Sequence, residues 1–131
     1  LLHTLSGTVK VTDFGLARAL QNTATRSHIQ TLTEVGTPAY LAPESFRGQY
    51  GRPSDVWGVG MVLWAMVKGE HPWSDLDGSA AIMTALLVDQ KRPSLDGVPP
   101  PLVDIIAQCW AADPKQRPTA AQVATMLQQA I

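Results

Sequence analysis

Early in the chain, apolar and polar positions alternate. Thr8 to Thr12 place β-branched and polar residues in turn after Gly7, a period of two that predicts a half-exposed strand over 8–12 entered from a turn. From Arg18 to Val35 Thr, Ser, Asn and Gln prevail with no sustained apolar period, which predicts a loop. Loops that long in compact domains usually carry function. Pro53, Ser54 and Asp55 provide a helix start, and Val56 to Val67 are all apolar or Gly, predicting a helix buried on every face. Asp77-Gly78-Ser79 followed by Ala80 to Leu87 predicts a weaker helix. After the triple proline at 99–101, Leu102, Ile105, Ile106, Cys109 and Trp110 form a single helical stripe. Thr119 with Gln122 makes a capping box ahead of Ala120, Val123, Ala124 and Leu127 on one last face. One short strand and four or so helices make a mainly α body.

Composition narrows this picture. A chain of 131 residues with 45% apolar and 16% charged side chains has the size and greasiness of one folded domain. Its net charge of −1 provides no broad field toward nucleic acid or anionic lipid. Cys109 is the single cysteine and sits in an apolar stripe, so a disulfide within the chain is excluded and a buried structural thiol is expected. His3, His28 and His71 share no metal-ligand spacing. The run from Val56 to Val67 is shorter than the roughly twenty residues needed to cross a bilayer. No secretory signal opens the chain at Leu1, and the start reads as an internal cut. An intracellular, cytoplasmic protein is expected, with an upstream membrane tether on the parent left open.

The candidate chemistry begins at Asp13-Phe14-Gly15, directly after the expected strand. Alone, that tripeptide is an ordinary turn. Downstream come Gly36-Thr37-Pro38-Ala39-Tyr40-Leu41-Ala42-Pro43-Glu44, then Asp55-Val56-Trp57, and finally Cys109-Trp110, Asp113-Pro114 and Arg117-Pro118. In this order and spacing the chain resembles the eukaryotic protein kinases over its whole length. Gly36-Thr37 with Tyr40 is similar to the serine/threonine type, and Cys109-Trp110 with Arg117-Pro118 resembles the tyrosine-kinase-like group.

The resemblance implies a truncated kinase-like C-terminal lobe of an α+β parent: strand 8–12, activation segment 13–44 and helical subdomain 53–131. It implies ATP and Mg²⁺ as cofactors of the parent, with Asp13 as metal ligand and Leu2 beneath the adenine. Phe14 would pack in an apolar stack and Gly15 would permit a hinge. Thr37 would help accommodate the substrate hydroxyl, and Pro38 to Leu41 would line the groove for a protein substrate bearing Ser or Thr. Glu44, otherwise a solvated charge at a helix start, would pair with Arg117. Asp55, otherwise a helix-dipole partner, would accept amides from the catalytic loop. Thr33 and Thr31 are activation-loop phosphosite candidates, although each also reads as a plain polar loop residue, and Arg18 would meet the phosphate.

Gly58, Val59 and Ala65 stand where the family more often has a small hydroxyl, an aromatic and a Glu, and His3 replaces a usually apolar residue. By the same resemblance the His-Arg-Asp element, the Gly-rich loop and the phosphate-gripping Lys lie upstream of Leu1. The parent is therefore expected to be a protein serine/threonine kinase and the chain alone to be inactive. A pseudokinase or scaffold module that docks partners is the alternative.

Overall fold

The structure, a computed structural model, describes residues 2–3, 5–12, 14 and 38–131. Strand β1 (Leu2–His3) pairs antiparallel with β2 (Val9–Lys10), Leu2 facing Lys10 and His3 facing Val9. Gly7, at φ 79°, lies in the connecting turn, where a side chain would be strained. The strand expected over 8–12 is therefore only two residues long, and it has a partner strand that the polar-apolar pattern did not announce. Val9 and Val11 are exposed, so their alternation marks a hairpin face that no described residue covers.

Two 3-10 turns, Pro38–Tyr40 and Pro43–Arg47, lead into the helical body. Proline opens the second, where a missing N–H costs nothing, and Gly48 at φ 75° ends it by donating to the Glu44 and Ser45 carbonyls. Helix α1 (Arg52–Lys68) follows from extended Gly51, with Pro53 in its first turn. Ser54 Oγ accepts from the Gly51 amide at 3.3 Å, so a serine within the helix performs the capping. At the other end Gly69, at φ 67°, donates to the Ala65 carbonyl.

Val56, Trp57, Gly60, Met61 and Trp64 form the buried stripe of α1. The expected burial on every face is not seen: Met66 is 73% exposed and Val59 is also open. An all-apolar run tells how greasy a helix is, but neighbours decide which faces are covered, and α3 (Pro100–Cys109) crosses one side only. At that crossing Gly60 is required. A Cβ there would lie 2.7 Å from Cys109 Cβ and 2.9 Å from Trp110 Nε1.

Helix α2 (Gly78–Met83) gives way at Thr84 to a π-turn through Val88, so the helix expected over 80–87 is interrupted. There Thr84 Oγ1 donates to the Ala80 carbonyl at 3.0 Å, and the Asp89 amide returns to the Thr84 carbonyl at 3.1 Å. Helix α4 (Ala120–Ala130) starts on a complete capping box: Thr119 Oγ1 accepts from the Gln122 amide, and Gln122 Oε1 accepts from the Thr119 amide. It leans Val123, Met126 and Leu127 on the core. All four tryptophans are buried. Among the described residues no helix is long and apolar enough to cross a membrane.

Candidate functional site

The densest polar arrangement among the described residues joins the Pro43–Arg47 turn to the segment before α4. Asp113 Oδ1 accepts from the Lys115 amide at 2.9 Å and opens the Pro114–Gln116 turn. Arg117 follows, held extended at φ −74°, ψ 143° by Pro118 behind it, which aims its side chain away from the next helix and into the body. Its guanidinium meets Glu44 as a fork, Nη1 to Oε1 at 2.7 Å and Nη2 to Oε2 at 3.0 Å. Nη1 also donates to the Pro53 carbonyl at 2.9 Å and Nε to the Ala111 carbonyl at 3.0 Å. The side chains are 0% and 11% exposed for Arg117 and Glu44. Planar, two-point pairing of this kind is what a guanidinium provides and an ammonium cannot.

Ser54 completes the site by donating its hydroxyl to Glu44 Oε1 at 2.9 Å. One carboxylate thus gathers the loop, the first turn of α1 and the entry to α4. Burial by itself would raise the Glu44 pKa. Hydrogen bonds from Arg117, from the backbone and from Ser54, with the Arg117 charge added, outweigh burial and hold the carboxyl below its ordinary 4.5. Arg117 also lies over Trp57, Cζ 5.0 Å from the ring centroid, and Trp57 packs on Trp110 at 6.4 Å with a 40° tilt. Nearby, burial pushes the Cys109 thiol up to about 11 against the weaker downward pull of Arg117 and a backbone hydrogen bond. Such a thiol is inert, as the sequence expectation had it.

Of the other residues singled out from the sequence, Leu2 falls in β1 and Asp55 is exposed in the first turn of α1. Phe14 is 68% exposed, with no described apolar stack around it. Asp13, Gly15, Arg18, Thr31, Thr33 and Thr37 lie outside the described residues. The Pro38–Tyr40 turn is described, and Tyr40 reaches His71, hydroxyl to Nδ1 at 3.4 Å.

Sequence reasoning missed Ser54 as a ligand of Glu44 and missed Arg92, which also stacks on Trp57. Ser54 had one visible signal, its position in a helix first turn. Arg92 had only a proline after it.

Comparison with known proteins agrees with this arrangement. The protein kinase domain family matches residues 1–127. Mitogen-activated protein kinase kinase kinase 10 of Xenopus laevis is 36% identical over 113 residues, which cover 86% of this chain and 11% of that protein. Human mitogen-activated protein kinase kinase kinase 11 is 34% identical over 122 residues, covering 92% of this chain and 14% of the relative. Human mitogen-activated protein kinase kinase kinase 4 is 35% identical over 124 residues, 92% of this chain and 8% of the relative. The chain thus spans only a small part of the length of these relatives. With the family match running through nearly the whole sequence and the Glu44–Arg117 fork folded as a helical body requires, the chain belongs to the protein kinase domain family.

Proposed function

We propose that the protein carrying this chain is a serine/threonine protein kinase of the tyrosine-kinase-like group, acting inside the cell. It would move the γ-phosphoryl group of ATP to Ser or Thr hydroxyls of other proteins. The observation that carries this reading is the protein kinase domain match over residues 1–127. The relatives are named as kinases of mitogen-activated protein kinase kinases, so another protein kinase is the first substrate class to try.

Kinases of this family generally use ATP and Mg²⁺, the ion neutralising charge on the transferring phosphates. Asp13 would hold that ion through its carboxylate oxygens, Leu2 would lie under the adenine, and Phe14 and Gly15 would set the direction in which Asp13 points. Thr37 would hold the acceptor hydroxyl in place while Pro38 to Leu41 seat the substrate backbone. For that seat to be firm, the loop must be anchored. Glu44 lies only three positions past Leu41, and its fork to Arg117 supports anchoring from below. Asp55 would orient the catalytic loop, and Thr33 or Thr31, once phosphorylated, would draw Arg18 and order the segment between.

The test is phosphate transfer from ATP by the complete protein, with Asp13→Asn beside it. The reading expects transfer to protein Ser or Thr and a loss of about a hundredfold or more in the variant, the scale of removing one transition-state electrostatic contact. Equal turnover by the variant would refute the metal-ligand assignment. No transfer by either protein would favour a module that docks partners without chemistry.

A further inference from the structure

The Glu44–Arg117 pair stands beside a second guanidinium. Arg92, in the turn after the π-turn, places its Cζ 4.7 Å from the Trp57 ring centroid, and Arg117 places its own at 5.0 Å. Two cations therefore lie against one indole, and among the described residues it is Arg117 that is paired with a carboxylate, Glu44. Arg92 Nε and Nη2 both donate to the Trp110 carbonyl at 3.2 Å, and Nη1 donates to the carbonyls of Gln90 and Lys91. Among the described residues no carboxylate is paired with Arg92. Burial, and then the Arg117 charge, lower the Arg92 pKa from its ordinary value.

A cation so placed needs negative charge from elsewhere. The Trp110 carbonyl caps the C-terminus of α3, the negative end of that helix, and the Trp57 ring face provides the rest. Neither carries a full negative charge, and of the two guanidiniums it is Arg117 that reaches Glu44. Arg92 and Arg117 thus both pack against the Trp57 ring. The two like charges disfavour one another, and among the described residues Glu44 is the carboxylate paired with Arg117.

We propose that Arg92 is a positioning residue for the substrate loop, acting through Trp57 and Arg117 to hold Glu44, and with it the Pro38–Leu41 groove, in place. The proposal rests on the reading of that groove as the protein-substrate seat. The hydrogen bonds of Arg92 go to the Trp110, Gln90 and Lys91 carbonyls and its guanidinium lies on Trp57, so its effect on the loop would travel through Trp57 and the fork.

Amide hydrogen exchange on the complete protein separates the possibilities. The Ser45 amide donates to Ala42, the Gly48 amide to Ser45 and the Gln49 amide to Glu44, so these three report the loop, while the Val123 amide, bonded to Thr119, reports α4. Arg92→Met should speed exchange of the loop amides about tenfold with little change at Val123, the pattern of local opening. Arg92→Lys, which keeps charge but loses the double bond to Trp110, should fall between. In a Glu44→Gln background, Arg92→Met should add nothing further at the loop. Equal acceleration at Val123, or a full effect persisting without Glu44, would overturn the proposal. Should Arg92→Met fail to fold, Arg92→Lys carries the same comparison.

In the active protein, Arg92→Lys should raise KM for the protein substrate and leave KM for ATP unchanged. Unchanged protein-substrate KM would overturn the positioning role. Absence of all phosphate transfer would instead count against the kinase reading, and the exchange result would still decide the coupling.

Discussion

Replacing Glu44 by Gln removes one charge from a nearly dry pair while keeping its shape. Arg117 is fully enclosed, so the variant leaves a guanidinium facing an amide that presents N–H groups to it and a second cation sharing its aromatic ring. Breaking a buried pair by losing one partner costs roughly 3 to 5 kcal/mol. Arg117 keeps its bonds to the Pro53 and Ala111 carbonyls, which places Glu44→Gln toward the lower end of that range. For a domain of this length each kcal/mol shifts Tm by roughly 4 °C, so a fall of about 12 °C is expected. Urea unfolding of the chain should show the same loss at constant m-value. Acid adds a second signature. The folded-state pKa of Glu44 lies below 4.5, so its contribution is complete above that pH and disappears as pH falls through the lower, folded value. The gap between wild type and Glu44→Gln should therefore shrink in acid below about pH 4.5. A cost under about 1 kcal/mol at neutral pH, the range of exposed ion pairs, would refute this account.

Three further outcomes are expected. Gly60→Ala should lower Tm although alanine favours helix, because the added methyl collides with Cys109 and Trp110; overpacking costs about 1 to 3 kcal/mol, and a rise in Tm would show that the crossing can relax. Cys109 should resist maleimide at pH 8 in the folded chain and react after denaturation, since its pKa is pushed up to about 11; rapid native labelling would contradict its burial. Thr119→Ala should cost about 1 kcal/mol by opening the capping box of α4, and exchange of the Gln122 amide should rise with it.

The elements legible in the sequence were those whose side chains repeat against a neighbour also present in the chain. The stripe ending at Cys109 and Trp110, and the Thr119 box ahead of Val123, needed only local rules. Elements that depend on distant partners were not legible. The run from Val56 to Val67 reads as greasy all round, yet Val59 and Met66 are open because coverage is a tertiary property. The interruption of α2 at Thr84 has no sequence marker beyond a hydroxyl that returns to the preceding turn. Of the site, family spacing brought Glu44 and Arg117 together. Arg92 was invisible because an arginine in a polar turn carries no periodicity, and only the fold brings it over Trp57.

The fork also joins residues 73 positions apart, with α1, α2 and α3 all lying between them. Closing so long a loop is costly before other contacts reward it, so this contact is expected to form after the intervening helices have docked. Refolding should accordingly end with a late zipping step that Glu44 variants leave out, their main kinetic mark being faster unfolding.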